Sequence, residues 1–353
     1  MGFLRLLHAW AGAVLALILV VLGLSGSLLV LKDDWLRATV PAARATVEPR
    51  PEILGAAAEA VERAHSGEVR TLVFARPDLG IHRVYLKDEG SAYADASGAV
   101  VARWTGNHRL EAWIFDLHHY LLAGDTGLMV AGVAGLAGTV LALTGLVVWA
   151  PAWRSFRGRV WPDSLRRRDL ISAHRDAGLI FAIPILMLCL TGGAIVFHKQ
   201  SQALMVALAP GGAPPAEAPA VGEGDVDWPT ALTAAQAAFP EATLRMANWP
   251  AKPGAPANVR LRQPGEWHPN GRTMVAIDPA TSQVVQTLDS GELAPGLRAY
   301  NAFYPLHAAA VGGRLYDAAI FASGLALAAL GGFGLWSFLI KPRRRRKAKL
   351  AQA

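Results

Sequence analysis

Four apolar stretches, Ala9 to Leu31, Leu128 to Ala150, Ala177 to Phe197 and Ala318 to Ile340, restrict what this chain can fold into. Each has room for about 20 helical residues, which at 1.5 Å rise per residue cross the ~30 Å hydrocarbon core of a bilayer. In lipid the backbone must satisfy its own hydrogen bonds, and apolar runs of this length do so as helices. The chain is 53% hydrophobic and 17% charged, and its charges fall almost entirely between the stretches. The first stretch exceeds the apolar core of a signal peptide and has only Arg5 before it, so it is predicted to be retained as a helix.

Orientation follows from the basic residues. Arg154, Arg157, Arg159, Arg166, Arg167, Arg168 and Arg175 lie between the second and third stretches; Lys341, Arg343 to Arg346, Lys347 and Lys349 follow the fourth. Short basic segments beside membrane ends mark the cytoplasmic side. Both termini are therefore expected in the cytoplasm of a bacterial inner membrane, with the two long segments in the periplasm. The formal net charge of +7 is explained by this topology and by contact with anionic membrane lipid, and it gives no support to a nucleic-acid partner. Cys189 is the single cysteine, so no internal disulfide braces the external parts.

The two halves repeat one another. His8, Gly12, Ser25 and Gly26 correspond, at one constant offset, to His174, Gly178, Thr191 and Gly192. Phe115-Asp-Leu-His118 resembles Phe303-Tyr-Pro-Leu-His307, and a glycine follows each histidine six residues later, Gly124 and Gly313. Gly145-Leu-Val-Val-Trp149 and Gly332-Phe-Gly-Leu-Trp336 close the halves alike. Each half also carries a small α+β module. Pro51 to Ser66 and Thr230 to Phe239 read as helices. Thr71–Ala75, Ile81–Leu86 and Ala99–Trp104 read as strands of the first module. Thr243–Asn248, Asn258–Arg262, Thr273–Ile277 and Gln283–Leu288 are those of the second. Asp95 to Gly98 and Asp278 to Ser282 are turns, and Ala209 to Gly224 is a linker.

The predicted fold is membrane α-helical: a four-helix transmembrane bundle from two duplicated halves, with two periplasmic α+β modules. In chain order it comprises the first transmembrane helix (1–31), module one (32–112) and the approach and second helix (113–150). A cytoplasmic loop (151–173), the third helix (174–198) and the linker with module two (199–300) follow. The approach and fourth helix (301–340) precede a basic cytoplasmic tail (341–353).

Histidines in membrane helices mark function. His8 and His174 fall at the cytoplasmic ends of the first and third helices, and His118 and His307 at the periplasmic ends of the second and fourth. Neutral imidazole ligates haem iron, and a b-type haem needs no Cys-x-x-Cys-His, which is absent. A flat macrocycle between helices needs small residues beside it. Gly12 and Gly178 lie one turn beyond His8 and His174, on the histidine face. Gly26 and Gly192 return to that face near the other surface. The pattern predicts two haem b groups, with iron held by His8, His174, His118 and His307. His119 and His198 are alternates for the outer site, and Arg175 and Arg314 are candidate propionate partners. His65, His82, His108 and His268 read as surface residues of the modules.

Arg5-Leu-Leu-His8-Ala-Trp-Ala-Gly12, Leu-Thr191-Gly192, Asp116-Leu-His118 and Thr144-Gly145-Leu-Val-Val-Trp149 resemble the PepSY-associated transmembrane family, and the external modules resemble PepSY domains. Some members of that family are inner-membrane ferric-siderophore reductases with two haems b. The resemblance implies that activity here, with periplasmic ferric siderophore as substrate. No Gly-x-Gly-x-x-Gly follows a strand, so electrons are expected from a separate donor, quinol or a cytoplasmic reductase. The alternative is a non-redox PepSY membrane protein acting as a sensor or protease modulator.

Overall fold

The computed structural model describes residues 2–212 and 219–340; the basic tail and the middle of the predicted linker lie outside them. The helices, in chain order, are α1 (Gly2–Val30), α2 (Lys32–Thr39), α3 (Pro51–Ala64), α4 (Leu110–Tyr120), α5 (Gly124–Trp149) and α6 (Arg167–Ile180). Then come α7 (Ala182–Val196), α8 (His198–Leu208), α9 (Trp228–Ala238), α10 (Pro295–Asn301), α11 (Phe303–His307) and α12 (Gly313–Leu339). The strands are β1 (Val69–Val73), β2 (His82–Leu86), β3 (Gly90–Ala94) and β4 (Val100–Thr105), with β5 (Thr243–Asn248), β6 (Ala257–Arg262), β7 (Thr273–Ile277) and β8 (Val284–Leu288) in the second half.

Three helical segments, Gly2–Val30, Gly124–Ser155 and Gly313–Leu339, are long and apolar enough to cross a membrane, with mean hydropathies of 2.7, 2.0 and 1.9. Only 28% of each apolar window is buried inside the protein; the rest needs an apolar solvent, and this is a membrane protein. The third predicted stretch departs from expectation. It is split between α6 and α7, which meet at a 74° bend. Pro184 supplies the cause: its ring would collide with the carbonyl of Ile180, four residues back, in a continuous helix. The chain therefore has three straight candidate spans, and a fourth if the bent pair is one span.

Small residues set the helix spacing. A Cβ on Gly23 would lie 2.6 Å from the Gly324 carbonyl oxygen, and one on Gly331 3.0 Å from that of Ala16. These contacts press α1 of the first half against α12 of the second. A Cβ on Gly135 would fall 3.0 Å from both the Cys189 carbonyl oxygen and the Gly193 nitrogen, so α5 and α7 meet as closely. Each tight pair thus joins one half to the other.

The two predicted modules share a single antiparallel sheet of eight strands, ordered β4-β3-β2-β1-β5-β6-β7-β8. Two four-strand meanders meet edge to edge, with Thr71 opposite Asn248 and Val73 opposite Met246. Both inner edges would otherwise present unpaired backbone groups. One face of the sheet packs under α3 and α9, around Leu72, Val84, Leu232, Leu244 and Val259. On β3, Ala92 and Ala94 belong to that core while Tyr93 points the other way, to a cluster with Leu36 and Trp104. The alternation is the period of two expected of a strand buried on both faces. Three of the four module histidines are not surface residues. His82 is fully buried, His65 5% exposed and His268 7% exposed, while His108 alone is exposed. The fused sheet and its covering elements remove them from solvent, which two separate small modules would not do.

Candidate functional site

Each half delivers one histidine to each end of the helix bundle. His8 rides on α1 and His174 on α6, and their ring centres are 6.3 Å apart. His118 ends α4 and His307 ends α11, with ring centres 6.1 Å apart. The short helices α4 and α11 are stopped just after their histidines by left-handed backbone. Leu121 and Leu122 precede Gly124 at φ 55°, and Ala309 precedes Gly313 at φ 66°. Glycine enters that region without the steric cost of a Cβ, so the two repeat glycines turn the chain back into α5 and α12.

A glycine on a neighbouring helix seats each ring. Cβ atoms on Gly26 and Gly192 would lie 2.9 and 2.8 Å from Cε1 of His118 and His307. Those on Gly145 and Gly334 would lie 3.3 and 3.4 Å from Cε1 of His8 and His174. Gly26 and Gly192 are therefore histidine seats, whereas the predicted role was contact with a macrocycle. Gly12 has nothing within 4 Å of its Cβ position, and Gly178 only Leu330 at 3.8 Å. The histidine face one turn from the inner pair is open, as a flat ligand requires.

Hydrogen bonds fix the tautomer of three of the four rings and engage Nδ1 of the fourth. Nδ1 of His174 lies 3.0 Å from the Leu330 carbonyl, Nδ1 of His118 3.1 Å from that of Leu22, and Nδ1 of His307 3.1 Å from that of Leu188. A carbonyl only accepts, so these nitrogens carry the proton. His8 Nδ1 meets the Thr144 hydroxyl at 3.0 Å; Ser25 and Thr191 add the same contact to His118 and His307 at 3.0 and 3.1 Å. The Ser25 and Thr191 hydroxyls lie within hydrogen-bond distance of the Val21 and Met187 carbonyls in their own helices, both at 2.7 Å, so their oxygens are free to accept from the rings. The Nδ1–H of His118, His174 and His307 is thus spent on the protein and their Nε2 atoms keep the lone pair, while Thr144 holds Nδ1 of His8. Metal-ligating histidines are commonly arranged this way, with the second nitrogen donating to a carbonyl or similar acceptor.

The spacing within each pair fits one iron between two imidazoles. A bond of about 2 Å from each Nε2, plus about 1 Å from each nitrogen to its ring centre, separates the centres by roughly 6 Å. Among the described residues no group of three or more His, Cys, Asp or Glu side chains could hold a bare metal ion. Pairs suit an iron whose other four positions are already filled, as in haem.

The remaining predicted residues lie elsewhere. His119 stacks on Phe115 with ring centres 5.1 Å apart, and His198 is exposed at the start of α8. The Arg175 guanidinium is held by Asp176 at 2.8 Å and by the Ser155 hydroxyl at 2.7 Å. Asp176 in turn accepts from the backbone nitrogens of Arg157 and Arg159, so Arg175 fastens the loop after α5. Arg314 forms a two-pronged pair with Asp34, at 2.7 and 2.9 Å. Arg314 and Arg37 hold the Asp34 carboxyl down to about 2. Sequence reasoning missed Gly334 and the hydrogen bonds that Ser25, Thr144 and Thr191 make to the rings; the repeated Ser/Thr-Gly dipeptide was the available signal.

A model of the PepSY-associated TM region matches residues 5–341. The chain belongs to this family. The match covers both histidine pairs and the sheet, so the site is embedded in the region that defines PepSY-associated TM proteins. No curated protein matches the chain.

Proposed function

We propose that this protein is an inner-membrane di-haem reductase that passes single electrons across the membrane to ferric iron held by a siderophore. Four helices cross the membrane in this reading, the bent pair α6–α7 counting as one. Both termini and the arginine-rich loop are cytoplasmic, and the eight-stranded sheet is periplasmic. The observation that carries the proposal is the pair of facing imidazole couples, each with Nδ1 committed and a spacing that accepts one iron.

His8 and His174 would hold the inner haem b, and His118 and His307 the outer one. Each bound haem supplies a one-electron iron couple and a conjugated ring that carries charge between the two ends. The protein's own contribution is placement. Gly26, Gly145, Gly192 and Gly334 bring the rings against the helices, and the acceptors at Nδ1 keep Nε2 available and raise its basicity. His8 and Gly26, the seat of His118, are eighteen residues apart on α1, about 27 Å along the axis. Iron held by oxygen chelators binds less tightly as Fe(II), so one electron given to Fe(III) releases the metal. The electron comes from quinol or a cytoplasmic reductase, which is oxidised in turn.

The test is the absorption spectrum of the detergent-purified full chain. A Soret band and α bands that sharpen on dithionite reduction, at two haems per chain, are expected. A folded, colourless preparation from haem-replete cells would sink the proposal in favour of the non-redox PepSY reading.

A further inference from the structure

A cavity of about 180 Å³ lies between the sheet and helices α2 and α11, on the face of the sheet opposite α3 and α9. Lys32, Arg76, Arg83 and Arg245 line it, and Asp33 is the single carboxylate among the lining residues. Asp33 is already paired with Arg76, which also meets Asp78. Among the described residues Lys32, Arg83 and Arg245 have no carboxylate within ion-pair distance. Arg83 lies over Tyr85, with its guanidinium carbon 4.9 Å from the ring centre, and its Nε is buried with no partner. Arg245 is 4% exposed and uses Nε on the Pro269 carbonyl at 3.0 Å. Burial brings its guanidinium down to about 10, with Arg76 adding to the effect. Burial likewise lowers the Lys32 ammonium.

Cations gathered out of water without counter-charges are costly unless an anion completes the set. Guanidinium groups match the oxygens of carboxylate and phosphate. The cavity has room for several water-sized groups, enough for an oxyanionic arm. Tyr304 lines the same cavity and sits three residues before His307 on α11, so an occupant lies one helical turn from the outer histidine pair.

We infer that this cavity receives the carboxylate-bearing arm of a polyanionic iron chelate through Lys32, Arg83 and Arg245, presenting the iron beside α11. This choice of substrate class rests on the reductase reading. Anionic chelates are then favoured over neutral hydroxamate complexes of the same metal.

Gallium(III) citrate is the probe, because gallium(III) takes the ligands of ferric iron but accepts no electron, so binding is read independently of electron transfer. Binding to the purified full chain is followed by thermophoresis, beside inorganic phosphate and a neutral gallium trishydroxamate. The expected result is saturable gallium citrate binding that weakens at least tenfold in Arg83→Gln and falls with added salt, with haem content unchanged. Lys32→Gln, on α2 outside the sheet, gives the same loss should Arg83→Gln fold poorly. Absence of binding, variants that bind like the wild type, or phosphate or the trishydroxamate bound as tightly as gallium citrate would each overturn the inference. Loss of haem from the variants would do so too, by assigning the cations to haem propionates. A colourless protein that still binds gallium citrate through these residues keeps the anion site and removes only the electron-transfer role.

Discussion

Substituting alanine at Gly26 or Gly192 tests the site most directly. The new methyl would sit 2.9 Å from Cε1 of His118 or 2.8 Å from that of His307, against about 3.5–4.0 Å for a relaxed carbon contact. The ring, or α4 or α11 behind it, must retreat by at least about 0.6 Å. Overpacking of this kind costs about 1–3 kcal/mol, and a coordination site tolerates only about 0.5 Å of displacement. If the strain is borne by the haem-bound state, outer-site affinity falls about 5- to 150-fold. Gly145→Ala and Gly334→Ala, at 3.3 and 3.4 Å from their histidines, are expected to do much less. Gly332→Ala is the control, since nothing lies within 4 Å of its Cβ position. Haem per chain by pyridine haemochrome, with the low-spin spectrum, reads the result. Gly26→Ala and Gly192→Ala each lose close to one haem of two, and the control keeps both. Full low-spin occupancy in the two seat variants, or equal loss in the control, refutes the account of how the rings are held.

Three further outcomes are expected. Ser25→Ala removes one of two acceptors from His118 Nδ1 and leaves the Leu22 carbonyl; both haems stay bound, while the outer potential rises by about 20–40 mV in a redox titration. Arg314→Ala frees the Asp34 carboxyl, whose pKa rises from about 2 toward the usual range; haem content is unchanged, as measured by haemochrome, because the guanidinium serves Asp34. His82, fully buried and pushed down to about 4, resists protonation when folded. The unfolded chain then binds the extra proton between its ordinary pKa near 6.5 and about 4, so stability falls as pH drops through that window. The loss is on the order of 3 kcal/mol, and His82→Asn should flatten the pH dependence seen in thermal melts of the sheet.

Much of this architecture is written locally. Length and apolarity mark the membrane helices, and the repeat marks His8, His118, His174 and His307, because both signals survive in a linear reading. The rest depends on partners distant in the chain. The bend at Phe181 follows from Pro184, yet apolar length alone passes over it. β3, Gly-Ser-Ala-Tyr-Ala, has Tyr93 as its one residue of strong strand preference and owes its form to neighbours on both sides. The seam between β1 and β5 joins strands more than a hundred and fifty residues apart, so neither strand predicts the other. Arg314 shows the same limit: its carboxylate partner, Asp34, is far away in the chain and is a choice made by tertiary contact. The burial of His65, His82 and His268 follows from the fused sheet, which no single module announces.

Each histidine couple takes one ring from either half, across helix contacts and a sheet seam that also cross between halves. A single half would own one histidine of each couple and complete neither. On the di-haem reading, a free half could assemble the site only by meeting a second copy, so its haem occupancy would rise and fall with protein concentration. Covalent fusion makes that encounter intramolecular. It also lifts the symmetry that two identical copies would impose. Lys32 stands where the second half has His198. The two sides of the seam are thereby free to specialise, so that Lys32 and Arg83 of the first half and Arg245 of the second bring different cations to one cavity.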